Sequence, residues 1–253
     1  MQQLTTTPFG RRQVTSGLIA SAARAAVPAA DDAVDKWQVF RDLTTARAAL
    51  GLPSRALTVL SALLSFHPET ELCGDDPIIV FPSNRRLAER AHGMAEATLR
   101  RHLAALTEAG LILRHDSPNG KRYAARDGSG ALSAVFGFDL RPLLVRAAEI
   151  AAAARATRDA AEALRRKREC LVLLIRDCDK LAAFIGPRDD PAGAASHTTP
   201  LAGLRAALRR KLDAAALDQL CNCAATIRSA LETQAAALCQ TVQSSGQDAQ
   251  TER

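Results

Sequence analysis

A mainly α-helical fold with one small β-sheet is predicted for this 253-residue chain by three observations. Apolar residues recur every three or four positions over most of its length, the period of helices that bury one face. Between Phe81 and Arg126, two short helical patterns join at His92-Gly93 and run into apolar segments around Asn119-Gly120, a dipeptide that closes tight β-hairpins. From about Arg141 onward the apolar steps of four and three come close to a heptad repeat and continue after a stretch rich in Gly, Pro and Asp. The stretch from Phe81 to Arg126 has the pattern of a winged helix-turn-helix with its small sheet. The steps from Arg141 onward predict a long antiparallel α-hairpin or helical arm.

Taken in order, residues 1–30 read as a mobile arm with a short Ala-rich helix, because no periodic apolar pattern opens the chain. A helix from Asp32 to Leu50 is expected to bury Trp37, Phe40, Leu43 and Ala46, and to stop at Gly51. Arg55 to Phe66 forms the next helix, with Leu57, Leu60, Leu63 and Leu64 inward. His67 to Pro77 reads as a polar loop, and Ile78 to Phe81 as a short strand. Ser83 can cap a helix from Asn84 to about Ala91, since its hydroxyl accepts from a first-turn amide that lacks a partner. A glycine at position 93 tolerates the left-handed turn into a second helix, about Ala95 to Ala109, which is striped by Leu99, Leu103 and Leu106. Gly110 caps it, Leu111 to Leu113 form a buried strand, and Tyr123 opens the strand returning from the hairpin tip. This DNA-binding domain is expected over 31–140. The helical arm then fills 141–242, reversing at Gly186 to Pro200, and 243–253 is expected as a disordered tail. A helix as long as Arg141 to Ile185 needs a partner along its length, which a returning helix or a second copy of the chain supplies.

Charge points to the partner. Between Asn84 and Arg126 nine Lys/Arg stand against four acids, while the rest of the chain is nearly neutral, so the basic excess is local. A patch of that kind neutralises phosphates and releases counterions, giving salt-sensitive affinity for double-stranded DNA. His92, His102 and His115 lie in the same stretch and are expected to add charge at lower pH. On the second helix Glu96, Ala97, Arg100 and Arg101 fall opposite the leucine stripe near the N-terminus, the end that enters the major groove in helix-turn-helix docking. Arg100 suits a two-pronged contact to guanine, Glu96 accepts from a cytosine amine, and Ala97 permits close approach to a thymine methyl. Ser83, Asn84, Arg85 and Thr98 suit phosphates, and Asn119, Lys121 and Arg122 form the tip of the wing.

Other classes fare worse. There is no Gly-rich phosphate loop, nucleophile elbow or His-Glu-x-x-His, so no enzyme is expected and no cofactor is called for. The six cysteines lack zinc-ligand spacing, and no metal site is expected; reduced thiols of this kind fit a cytoplasmic protein. No apolar run approaches the ~20 residues of a membrane span, and no signal peptide opens the chain.

Seven runs carry a more specific resemblance: TTPFGRR (Thr6 to Arg12), DKWQVFRDLTTAR (Asp35 to Arg47), LLSFHPE (Leu63 to Glu69), VFPSN (Val80 to Asn84), RAHGMAEATLRRHLAAL (Arg90 to Leu106), DSPNGKRY (Asp116 to Tyr123) and FGFDLRPL (Phe136 to Leu143). On these the sequence resembles the RepC replication initiators of repABC plasmids from alphaproteobacteria. The resemblance implies binding to a plasmid origin, usually within the initiator's own coding sequence, and recruitment of host replication proteins. Members of that family generally continue into a further C-terminal domain. The alternative from the residues alone is a winged-helix transcriptional repressor that dimerises through its helical arm.

Overall fold

In the computed structural model, residues 19, 23, 33–74, 76–119, 122–126, 132–186 and 191–251 are described. They fall into two compact units, 1–158 and 159–253. Apart from Ile19 and Ala23, the arm expected over 1–30 lies outside the described residues.

The first unit runs β1 (Ala33–Asp35), α1 (Lys36–Ala46), α2 (Ser54–Leu64), β2 (Glu71–Cys73), β3 (Ile79–Val80), α3 (Asn84–Arg90), α4 (Glu96–Glu108), β4 (Leu113–His115), β5 (Tyr123–Arg126), β6 (Leu132–Asp139) and α5 (Arg141–Val145). It closes within the first turns of α6 (Ala147–Ile185). One apolar core holds it together, with Leu60, Leu63, Leu87, Leu99, Leu106, Ile112, Phe138 and Leu143 among its buried members. On α1 the fully buried stripe is Val39, Leu43 and Ala46, and Trp37 and Phe40 lie half-buried edge to face at its margin. The stripe is therefore rotated from the one expected. Lys36 lies buried with that stripe, its ammonium donating to the carbonyls of His67 and Glu69, each at 2.6 Å. A two-stranded ladder, β1 with β2, replaces both the first turn of the expected helix and part of the expected polar loop.

The sheet corrects the expected hairpin. β3 pairs antiparallel with β6, Val80 opposite Phe138, and β4 pairs with the same residues of β6 from the other side, Arg114 opposite Phe138. β5 pairs further along β6, Tyr123 opposite Phe136. Among the described residues β4 and β5 share no ladder, so the residues about Asn119 are not the tip of a β4–β5 hairpin. The physical reason is that β6 is long enough to offer β4 and β5 successive stretches of backbone, a partner that local turn chemistry does not reveal. Asp139 fastens the end of β6: its carboxylate accepts from the amides of Ile78 and Arg141, each at 2.9 Å, and approaches His115 Nε2 at 3.5 Å.

The unit boundary falls at 158 rather than 141. Leu143, Leu144, Ala147 and Ile150 join the first core, and Arg158 reaches back to the buried Asp42 carboxylate at 2.5 Å. Arg146 adds a second tie by donating to the carbonyls that follow α4, Ala109 at 2.6 Å and Gly110 at 3.1 Å.

The second unit holds the rest of α6 with α7 (Pro191–Leu208) and α8 (Ala214–Thr251). Leu171, Ile175, Cys178 and Ile185 from α6 share a core with Leu201, Leu204, Leu217, Ala224, Leu231 and Leu238. The heptad-like steps are met here, but three helices build the core instead of a hairpin. The expected reversal from Gly186 to Pro200 is also shortened, because helix resumes at Pro191 and continues through Pro200. Likewise, the segment expected as a disordered tail is helical as far as Thr251. No helix of the described residues is long and apolar enough to cross a membrane.

Candidate nucleic-acid interface

The candidate surface is built on α3, its turn and α4. Ser83 sits in extended backbone and its hydroxyl accepts from the Arg86 amide at 3.3 Å, which starts α3 and sends Leu87 into the core. The helix ends with the Gly93 amide donating to the Ala88 carbonyl at 2.9 Å, and both His92 (φ 58°) and Gly93 (φ 70°) are left-handed. Gly93 takes the left-handed turn expected of it, and His92 before it shares that conformation. At the far end of α4, Gly110 (φ 64°) fills the expected cap, and the Leu111 amide reaches the Leu106 carbonyl at 3.0 Å.

On α4 the buried side is Leu99, His102, Leu103, Leu106 and Thr107, wider than the leucine stripe alone. His102 is buried with neither ring nitrogen hydrogen-bonded, and burial first, then the charges of Arg101 and Arg55, push its pKa below the ordinary range. Both effects oppose the added charge expected of it at lower pH. The opposite face carries exposed Glu96, Ala97, Arg100 and Arg101, and Thr98 is half-buried at its margin. Exposed Arg85, ion-paired to Glu89 at 3.7 Å, and exposed Arg86 continue the cationic surface on α3.

Three of the sequence-selected residues meet. Glu96 Oε1 accepts from Arg100 Nη2 at 2.6 Å and from Asn84 Nδ2 at 3.0 Å, so a side chain of α3 is joined to two of α4 across the turn. Hydrogen bonds from Arg100 and Asn84 hold the Glu96 carboxyl below the usual carboxylate range. Asn84 was expected at phosphate and is instead engaged with this pair.

Other cations of the basic stretch are spent on structure. Arg90 donates to the Ser65 carbonyl (2.7 Å) and hydroxyl (2.8 Å), with its guanidinium 3.7 Å from the Phe66 ring centroid. Arg114 pairs with Asp116 at 2.6 Å. Arg122 lies half-buried 4.3 Å from the Phe138 ring centroid and donates to the Pro82 carbonyl at 2.9 Å. Burial, reinforced by Arg114 and opposed by Asp116, lowers its pKa to about 10. An arginine expected at an exposed hairpin tip is therefore packed against the sheet. The sequence signal for this is the aromatic at Phe138, whose face attracts a guanidinium only once the sheet is assembled. Asn119 is exposed, its Oδ1 accepting from Ser117 at 2.7 Å, and Lys121 lies outside the described residues.

The fold and this surface define a mainly helical protein with small antiparallel sheets, presenting a basic face on a pair of short helices. Residues 12–186 match the family described as Replication protein C N-terminal domain, and the chain belongs to that family. It is 53% identical over 176 residues to a protein of Sinorhizobium fredii (strain NBRC 101917 / NGR234) named "Putative replication protein C", and 53% identical over 176 residues to one of the same name from Rhizobium rhizogenes. Each match covers 70% of this chain and 44% of the relative, so the chain spans less than half the length of the curated relatives it matches. No solved structure matches it.

Proposed function

We propose that this chain binds double-stranded DNA through a winged helix-turn-helix and serves as the origin-binding part of a plasmid replication initiator, in the cytoplasm. The observation that carries this reading is the coincidence of family membership with a solvent-facing cluster of Arg85, Arg86, Arg100 and Arg101 on two helices joined by a tight turn. The order of α2, β3, α3, α4, β4 with β5, and β6, with β6 between β3 and β4, supports a wing formed by β5 and β6. In this reading α4 enters the major groove, Glu96, Ala97, Arg100 and Arg101 face base edges, and Ser83, Arg85 and Thr98 lie toward phosphates. Host replication proteins are the further partners that the family implies. A homodimer formed through the helical second unit is compatible with it.

Footprinting the chain on its own coding DNA beside random duplex tests this. A protected region within the coding sequence is expected. Protection of a promoter-proximal palindrome alone would overturn origin binding in favour of a transcriptional repressor.

A further inference from the structure

The candidate surface contains three side chains that act on one another before any DNA arrives. Glu96 Oε1 accepts two hydrogen bonds, from Arg100 and from Asn84, and among the described residues Oε2 accepts none. Arg100 engages Glu96 through one terminal nitrogen, Nη2, so its other donors face solvent together with the helix front. Asn84 belongs to another helix, and its Oδ1 is buried without a hydrogen-bond partner, so the amide makes a single directed bond to the carboxylate. An exposed Glu/Arg pair four residues apart is ordinarily a weak, mobile contact. The bond from Asn84, across the turn, distinguishes this one.

The major-groove edge of a G·C pair presents two acceptors, guanine N7 and O6, followed by one donor, the cytosine N4 amine. O6 and N4 are themselves joined by a base-pair hydrogen bond, so they stand about 2.9 Å apart. The protein pair offers the complement at matching spacing: donors on Arg100 beside an acceptor on Glu96, with N···O 2.6 Å. An A·T pair puts donor and acceptors in a different order, and the carboxylate would meet adenine N7 or thymine O4, which repel it.

We propose that Asn84, Glu96 and Arg100 form one preassembled unit that reads a single G·C base pair, with Arg100 on guanine, Glu96 on cytosine and Asn84 as the positioning residue. This rests on the DNA-binding reading above and goes beyond it by fixing the base pair and removing Asn84 from the phosphate contacts. Arg100 keeps its bond to Glu96 in the groove, so no pair has to be broken on binding.

The test is a binding comparison on the intact chain. The preferred duplex is selected from a randomised pool, each of its positions is then substituted in turn, and wild type, Asn84→Ala and Glu96→Gln are measured against that panel and against random duplex. Wild type is expected to require G·C at one position, by about tenfold or more over A·T, the range of a good two-pronged base contact. Asn84→Ala should lose most of that preference at the same position, with other positions, random-duplex affinity, salt slope and thermal midpoint unchanged. Glu96→Gln should move the preference there toward A·T, since an amide can pair with adenine. If Asn84→Ala keeps the full preference at the position where Glu96→Gln changes it, or weakens all duplexes alike, this inference fails while DNA reading stands. A wild-type chain with no preference for any duplex overturns both.

Discussion

Arg122 shows how one residue changes meaning between a sequence and a fold. Beside Asn119-Gly120 it reads as a wing cation, but its guanidinium lies over Phe138 and donates to the Pro82 carbonyl, tying the approach to β5 to the segment between β3 and α3. Arg122→Ala is therefore expected to lower the stability of the first unit by ~1–2 kcal/mol, the loss of one cation–π contact and one hydrogen bond from a charged donor. The salt dependence of DNA binding should stay unchanged, as measured by denaturant titration and by binding at several salt concentrations. A flattened salt slope with unaltered stability would return Arg122 to the DNA surface.

His102 makes a second prediction at this scale. In the unfolded chain its imidazole takes up a proton near the ordinary histidine value of 6.5, whereas burial, with the charges of Arg101 and Arg55, makes the folded state resist it. The unfolded state then binds more protons below that pH, so stability rises with pH in that window. The contribution is complete above about 6.5 and declines as the pH falls through and beneath it. Denaturation midpoints between pH 7.5 and 5 should decline for wild type, and decline less for His102→Leu, whose side chain cannot be protonated.

At the scale of elements, the central strand decides the architecture. β6 receives β3 along one edge and β4 along the other and pairs with β5 further along, and Gly137, opposite His115, stands between those stretches. A Cβ at that position would run into the Val80 carbonyl oxygen and come within 3.0 Å of Ile79 Cγ2. Backbone cannot yield as a flexible side chain does, so Gly137→Ala should separate β3 from β6 and cost ~1–3 kcal/mol, as overpacking in a filled core does. Far-UV circular dichroism during chemical denaturation would measure it. Gly51 and Gly93, where an added Cβ meets nothing within 4 Å, offer a contrast: their constraint is the left-handed backbone itself.

Elements also differ in how far their sequence reveals them. The caps of α3 and α4, Ser83 and Gly110, and the inward leucines of α4 are legible because capping and apolar period act within a few residues. The pairings of β6 are not, since Val80, Arg114 and Phe138 are far apart in the chain and meet only through tertiary contacts. The ladder of β1 with β2 escapes for the same reason: each strand is three residues long and carries no alternation that could mark it.

For the whole molecule, two separate cores follow from where apolar side chains concentrate, and α6 contributes to both. Its buried steps run from Ala147 to Ala154 and again from Leu171 to Ile185, while Ala161 between them is exposed. A uniform heptad reading misses that interruption, and with it the boundary at 158. Trp37 is the sole tryptophan and lies in the first unit, so its fluorescence reports that unit alone. Leu231→Ala, which empties part of the second core, should cost ~2–5 kcal/mol there. It should shift the helix-dominated circular dichroism transition and leave the Trp37 transition in place; a joint shift of both signals would mean that the two units unfold as one.

The sequence by itself determined the helix pair, its caps, its buried leucines and the concentration of positive charge around it, because these depend on side-chain period, backbone preference and formal charge over a few turns. It also carried the motifs of the replication protein C family. Only the tertiary structure decided which cations are left for a partner: it turned Arg90, Arg114 and Arg122 to internal contacts and joined Asn84 to Glu96 and Arg100. The physical reason is that a charge is committed by what lies within a few ångströms of it. Those neighbours come from strands and helices distant in the chain.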